Sequence, residues 1–164
     1  MTDAAVDPLV AEAVKRVDLA WIAVDDRPAT AVWCTWWNDS LVLVCGGSEQ
    51  ADPEPTAGDC RVLLRGDHNG LIVDLAVEVH VVPPRSPDWP AITTVLAGKR
   101  LNSVGDPVPR WTEESTVYRL TPLPGEPRHG AALPNGSTAA PVAATPAARP
   151  TRRPFRLHRV KRHH

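Results

Sequence analysis

The fold class is set by residues 19–46, which read LAWIAVDDRPATAVWCTWWNDSLVLVCG. Three short runs rich in β-branched and aromatic residues are separated by two polar turns, at 25–28 (DDRP) and 38–40 (NDS). Runs of this kind, punctuated by turn-forming residues, are typical of antiparallel strands with tight connections. The same stretch holds four of the six tryptophans. We therefore predict an antiparallel meander near the N-terminus and, with it, a small barrel or sandwich.

The rest of the chain adds three predicted strands and two predicted helices. A helix is expected to begin at Pro8, because proline is well tolerated at the first helical position. Residues 71–82 alternate apolar odd positions with even positions that include Asp74, Glu78 and His80, which predicts one buried and one polar face. The predicted strands are 19–24, 29–37, 41–45, 60–65, 71–82 and 115–121, and the second helix is 88–100, followed by a loop rich in Gly, Pro and Asp. The pattern predicts a mainly β fold of six antiparallel strands with two helices.

Charge divides the chain into two parts of different character. Residues 1–123 carry 18 acidic and 10 basic side chains, a net charge of −8, whereas residues 124–164 carry one acidic and eight basic side chains, a net charge of +7. Residues 124–150 contain six prolines and eight alanines with few large apolar side chains, so they cannot bury enough surface to offset their chain entropy. We predict a folded domain over 1–123, a disordered Pro/Ala-rich linker over 124–150 and a disordered basic tail over 151–164.

The basic tail is suited to an anionic partner, which could be nucleic acid or an anionic lipid. The alternative is a solubilising tail, or one that folds back on the acidic domain. The candidate residues for an anionic partner are Arg152, Arg153, Arg156, Arg159, Lys161 and Arg162.

Several function classes lack support in the sequence. No apolar run is long enough to span a membrane, and the acidic N-terminus does not resemble a signal peptide, so we predict a cytoplasmic protein. The three cysteines show no C-x-x-C spacing and are expected to be inert buried thiols. We find no P-loop, no Ser-His-Asp signature and no zinc pattern, and no metal site is predicted. The polar face with His80 is expected to be solvated.

Three segments, taken in order, resemble the pyridoxamine 5′-phosphate oxidase-like family of FMN-binding split barrels. Residues 31–36 (AVWCTW) are similar to that family's Pro-Val-Trp-Phe-x-Trp strand, residues 59–64 (DCRVLL) to its Asp-Pro-Arg-Val-Ala-Leu strand, and residues 116–122 (TVYRLTP) to its closing strand. The resemblance covers about residues 8–122. It implies a split β-barrel that forms a homodimer, with a flavin in a groove between the two barrels.

The resemblance also implies where a cofactor would lie. The flavin ring would rest against residues 31–35 and 44–48, and the phosphate would bind after the third strand, where the family has a Ser-Arg-Lys-type sequence. The matching residues here are 46–51 (GGSEQA), so Glu49 and Gln50 stand in place of the basic pair, and a carboxylate repels a phosphate. The backbone N–H groups of this loop could still face an anion, and an ordinary surface connection is the alternative. The candidate cofactor-binding residues are Ala31, Val32, Trp33, Cys34, Thr35, Cys45, Gly46, Gly47, Ser48 and Gln50.

The tryptophans of the second run have two possible roles. Strand alternation places Trp33 and Trp37 on one face and Trp36 on the other. They could pack in the core, or they could stack on a cofactor ring or form a dimer interface.

Two functional hypotheses follow. The first is an oxidoreductase dependent on FMN or a deazaflavin, acting on a small molecule without a catalytic residue that the sequence singles out. The alternative is a non-catalytic dimeric split-barrel protein for binding or scaffolding, which has lost the cofactor phosphate site, binds no cofactor and uses its tail for an anionic partner.

Overall fold

A computed structural model describes residues 8–14, 17–55, 59–65, 71–100, 105–125, 127–129 and 133. Within these residues the chain forms three helices and eight strands. In chain order the elements are α1 (Pro8–Val14), β1 (Leu19–Val24), β2 (Thr30–Trp33), β3 (Thr35–Trp37), β4 (Ser40–Cys45), β5 (Cys60–Arg65), β6 (Leu71–Val81), α2 (Trp89–Lys99), α3 (Val108–Glu114), β7 (Thr116–Pro122) and β8 (Arg128–His129).

The strands form one antiparallel sheet in the order β2-β1-β5-β6-β7-β4-β3, with β8 paired to β6 off this path. The two ends of the path, β2 and β3, are consecutive in the chain and separated only by Cys34. The ends therefore meet, and the sheet curls into a nearly closed barrel. This confirms the predicted mainly β class and the antiparallel barrel, although the predicted counts of six strands and two helices are slightly too low.

The extra strands and the extra helix have local causes. The predicted strand 29–37 bends at Cys34, whose N–H donates to the Asp18 carbonyl at 3.2 Å, and it pairs with β1 before the bend and with β4 after it. Helix α3 lies where the Pro-rich sequence predicted a loop. Proline fits a first helical turn because that turn's N–H groups have no intrahelical partner. The Asp106 carboxylate accepts one of them, from Val108 at 3.0 Å.

The predicted turn at 38–40 is confirmed as a tight hairpin between β3 and β4. Asn38 and Asp39 have φ angles of 45° and 56°, and Trp37 pairs directly with Ser40. Two consecutive positive φ angles are what a two-residue hairpin turn with the favoured twist requires, and Asn and Asp tolerate them better than most residues. This turn fixes the register of β4 against β3.

The buried residues form two clusters, one inside the barrel and one between the barrel and the helices. The interior cluster takes the inward side chains of the strands together with residues of and after α1. The second cluster joins outward side chains of β4 and β7 to α2 and α3. Trp36 packs against the interior cluster, whereas Trp33 and Trp37 pack against the second. The predicted alternation of the tryptophans is therefore confirmed, and all three contribute to packing.

The long strand β6 follows the alternation that its sequence predicts with two exceptions, one buried residue on the polar face and the last apolar position of the strand, which is exposed. Glu78 and His80 are exposed as expected, and the His80 Nε2 lies 3.2 Å from the Glu78 carboxylate. Asp74 is only 1% exposed and is ion-paired with Arg61 at 2.5 Å and with Arg128. Arg128 belongs to β8, so the sheet continues past residue 123 into the segment predicted as a linker.

Candidate functional site

The two segments expected to flank a flavin ring do lie side by side, and the side chain of Gln50 bridges them. Its Oε1 accepts a hydrogen bond from the Trp33 N–H at 2.6 Å, and its Nε2 donates to the Trp33 carbonyl at 2.8 Å and to the Val44 carbonyl at 3.0 Å. One amide side chain therefore pairs with peptide groups at the end of β2 and in β4. These peptide groups lie in the segments to which the resemblance assigns the ring.

The other candidate cofactor-binding residues differ in their access to solvent. Val32, Cys34 and Cys45 belong to the barrel interior, and Thr35 is also buried. Trp33 is partly buried against the helix-side cluster. The exposed candidates are Ala31, Gly47 and Ser48, and Gly46 is intermediate. Whether any of them binds a cofactor stays a prediction, and the tail residues proposed for an anionic partner, such as Arg152, lie outside the described residues.

The two glycines after β4 are explained by packing against α3. Gly46 and Gly47 have φ angles of 84° and 60°, a region that disfavours other side chains. A Cβ on Gly47 would lie 2.9 Å from both the Cβ and the carbonyl oxygen of Glu114. The Gly46 N–H already donates to the Gln50 carbonyl at 3.0 Å, and its carbonyl accepts from the Ser115 hydroxyl at 3.2 Å. The loop is thus closed on itself and fastened to the end of α3.

The side chain of Glu49 is held by three donors of the same chain. Its Oε1 accepts from the Trp111 indole N–H at 2.8 Å and from the Arg110 guanidinium at 3.1 Å, and its Oε2 accepts from Arg100. The Glu49 side chain is 10% exposed and Trp111 is fully buried. Charge-assisted hydrogen bonds to a poorly solvated carboxylate are stronger than neutral ones. This cluster joins the loop after β4 to both α2 and α3.

The carboxylate of Glu49 is ionised near neutral pH. Burial alone would raise its pKa, but the hydrogen bonds from Arg100, Trp111 and Arg110 outweigh burial and hold the pKa below its usual value. A negative charge therefore occupies the position where the resemblance places the cations for a cofactor phosphate. The residues present in this loop do not fit a phosphate group.

Sequence reasoning identified Glu49 as unusual but missed its three partners. Arg100 follows α2, and Arg110 and Trp111 lie in the short helix that the sequence presented as a loop. They are 51, 61 and 62 residues from Glu49 along the chain. A proline-initiated helix over 108–114 was the one local signal that could have indicated them.

The buried nucleophiles are kept protonated. Burial raises the pKa of Cys45 to about 12 and that of Cys60 to about 11, and it also raises the pKa of Cys34. The Tyr118 hydroxyl donates to Asp52 at 2.8 Å, and burial followed by this hydrogen bond raises its pKa. The thiols are buried and free, as expected for inert side chains. None of these groups is prepared to act as a nucleophile near neutral pH.

An open depression of about 360 Å³ lies on the outer face of the barrel, between β6, β7 and the segment before α2. Its charged lining residues, Arg119 and Asp88, form an ion pair with each other at 3.3 Å, and the Nε2 of the lining residue His80 lies 3.2 Å from the Glu78 carboxylate. Arg119 also lies over the Trp37 ring at 5.4 Å. The depression therefore presents paired charges, which favours neither a strongly anionic nor a strongly cationic ligand.

Two classes of site are not found in the described part of the chain. No group of three or more potential metal ligands occurs among these residues. Likewise, no helix there has the length and hydropathy needed to cross a membrane.

The fold is a split barrel, and comparison with solved structures supports this classification. The chain is similar to HutZ, the heme storage protein from Vibrio cholerae, with a TM-score of 0.52 and 10% sequence identity over 73% of this chain and 91% of that chain. It is also similar to a protein from Listeria innocua described as a putative pyridoxamine 5′-phosphate oxidase, with a TM-score of 0.47 and 13% identity over 73% of this chain and 94% of that chain. No protein-family model and no curated protein sequence matches the chain. At such low identity the likeness to HutZ concerns the fold alone.

Proposed function

We propose that this chain is a non-catalytic split-barrel binding protein, in which the loop after β4 joins the barrel to its helices and holds no flavin phosphate. The observation that carries the proposal is the position of Glu49. Its carboxylate stands where a basic pair would be expected and already accepts hydrogen bonds from Arg100, Arg110 and Trp111. A cofactor phosphate would meet a partly buried negative charge there, and like charges repel strongly in a poorly solvated site.

The bridge made by Gln50 supports the same conclusion for the ring. The Trp33 peptide group and the Val44 carbonyl lie in the two segments predicted to contact the ring, and both are paired with the Gln50 amide. A ring that used these groups would have to break three hydrogen bonds before it gained any. Leaving a partly buried peptide group without a partner costs about 1–3 kcal/mol.

The competing hypothesis is a flavin- or deazaflavin-dependent oxidoreductase. Two exposed positions favour it, Ala31 and Ser48, which lie on the two segments predicted to contact the cofactor. In such an enzyme the cofactor would perform the redox chemistry and the protein would bind and orient it. The split-barrel fold is compatible with both hypotheses, so the proposal rests on the contacts of the loop after β4 rather than on the fold.

The first experiment is an absorbance spectrum of the purified protein, followed by titration with FMN, a deazaflavin and hemin. Hemin is included because HutZ is described as a heme storage protein. We expect no micromolar binding of FMN or the deazaflavin, whose ring fluorescence reports binding directly. Micromolar binding that is abolished by Trp33→Ala or Ser48→Ala would refute the proposal and support the oxidoreductase.

The proposal also includes the predicted homodimer, the cytoplasmic location and a ligand that is a small molecule. Sedimentation velocity of the full chain tests the dimer. A concentration-independent monomer at micromolar concentration would remove this part of the proposal and leave the ligand part standing.

The tail extends the proposal to an anionic partner. A full-length variant in which Arg152, Arg153, Arg156 and Arg159 are changed to Gln should bind a DNA duplex more weakly than the wild type. Each lost phosphate contact is also expected to make binding less dependent on salt. Equal affinities for the two proteins would indicate that the tail serves solubility only.

A further inference from the structure

We infer that Arg100, Arg110 and Trp111 form an oxyanion-binding cradle whose resident anion is the carboxylate of Glu49, so that a phosphate group can enter only after this carboxylate has left. The inference rests on the proposed function, since both take Glu49 to be engaged by donors of its own chain. It goes further by assigning a latent site and the chemical class of its ligand.

The three partners of Glu49 offer only donors. A guanidinium and an indole N–H have no acceptor atoms, so their joint partner must be an anion or another strong acceptor. Trp111 and Arg110 converge on Oε1, while Arg100 reaches Oε2 from the end of α2. The donors therefore approach the two oxygens from different elements, which fixes the position of the acceptor rather than only its charge.

The cluster has more donor capacity than one carboxylate uses. Two guanidinium groups face a single negative charge, so the three ionised side chains together carry a charge of +1. The Nε of Arg110 is buried and has no hydrogen-bond partner in the described part of the chain. A tetrahedral phosphate carries more acceptor oxygens and up to two negative charges, so it could balance both arginines and reach donors that a carboxylate leaves unused.

The carboxylate of Glu49 is what excludes such a ligand from the wild-type protein. A phosphate dianion entering beside it would place three negative charges against two positive ones. Removing the side chain with E49A leaves two positive charges and the volume of a carboxylate-bearing side chain. The ligand class for the opened site is inorganic phosphate or a phosphate monoester.

The test is chemical rescue of full-length E49A, with thermal unfolding followed by circular dichroism. In chloride buffer E49A should unfold at a lower temperature than the wild type, because two partly buried arginines lose the carboxylate that they share. Inorganic phosphate at matched ionic strength should restore part of the loss in a saturable way. We expect E49A to bind phosphate at least about tenfold more tightly than the wild type, as expected for a gained charge-assisted hydrogen-bond set. If E49A is unfolded in chloride, phosphate is expected to restore its folding.

Two controls separate the cradle from general salt effects. E113A makes the same chemical change at an exposed position of α3 and should respond to phosphate as the wild type does. The double variant E49A/R110A lacks a cradle donor and should lose the phosphate response of E49A. The inference is overturned if E49A gains no stability from phosphate, or if E113A or E49A/R110A gains as much.

Titration with FMN and riboflavin distinguishes a free phosphate from a phosphate ester, because the two ligands differ only in the phosphate. FMN binding by E49A with no riboflavin binding would show that the cradle accepts an ester. A response to inorganic phosphate without FMN binding would restrict the site to the free ion, and both results support the cradle. FMN binding by the wild type would refute the proposed function but leave the chemical-rescue result to decide the inference.

Discussion

Replacing Gln50 by leucine should destabilise the fold more than an ordinary surface substitution would. Leucine is an apolar side chain of similar size that removes all three hydrogen bonds to the Trp33 peptide group and the Val44 carbonyl. Each such bond contributes about 1 kcal/mol net, and more where a partly buried partner is left unpaired. We therefore expect a loss of about 3 kcal/mol in the free energy of unfolding. For a domain of this size that corresponds to a fall of about 10 °C in Tm.

The assay is urea unfolding followed by tryptophan fluorescence, with the free energy taken from linear extrapolation. Ser48→Ala is the matched control, because Ser48 is exposed in the same loop and its change should stay within about 0.5 kcal/mol. Gln50→Glu tests the direction of the bonds. It keeps an acceptor for the Trp33 N–H but sets a carboxylate against two carbonyl oxygens, so it should be tolerated better at acid than at neutral pH. A loss below about 1 kcal/mol for Gln50→Leu would refute the idea that this side chain fastens β2 to β4.

Three further outcomes follow from the same region. Gly47→Ala should lower the free energy of unfolding by about 1–3 kcal/mol, because residue 47 has a positive φ and the added Cβ would press on α3. Gly98→Ala in α2 should raise it by about 0.5–1 kcal/mol, because the added Cβ meets nothing within 4 Å. Urea unfolding of both variants checks the contrast. The pKa of Glu49 is lowered in the folded state, so the ionised carboxylate stabilises the fold above its ordinary pKa of 4.5, and this stabilisation is lost as the pH falls through the folded-state pKa. The difference in the free energy of unfolding between wild type and Glu49→Gln should therefore shrink on acidification below about pH 4.5. Cys45 and Cys60 are buried, which blocks a reagent and raises their pKa values, so a thiol reagent should modify them only after the protein opens; fast modification of the native protein would contradict this.

Much of the fold could be predicted from local sequence because its determinants are local. The period-2 pattern of β6 and the Asn-Asp turn before β4 depend on neighbouring residues, and both are confirmed. The split of one predicted strand at Cys34 could not be read in this way, because its cause is a change of pairing partner from β1 to β4. Helix α3 was hidden by prolines, which are as compatible with a first helical turn as with a loop.

The candidate site was harder to predict than the fold because its contacts join distant parts of the chain. The position of Glu49 in the loop was evident from the sequence, and so was its conflict with a phosphate. Its engagement by Arg100, Arg110 and Trp111 depends on how α2 and α3 pack against the barrel. Likewise, Asp74 was expected on a solvated face and is buried by ion pairs with Arg61 and Arg128. Such pairings are set by tertiary packing, which no local pattern encodes.

The split barrel and its cofactor site depend on different residues, so they can diverge independently. The barrel requires apolar side chains at alternating positions, and many sequences satisfy that condition, as the 10% identity to HutZ at a TM-score of 0.52 illustrates. A phosphate site requires particular charges at a few positions, and a carboxylate at one of them reverses its electrostatics. In this chain the reversed charge is compensated by two arginines and an indole N–H rather than left unpaired. Without partners, a carboxylate this poorly exposed would be destabilising, so the presence of these donors indicates that Glu49 is an integrated part of the fold.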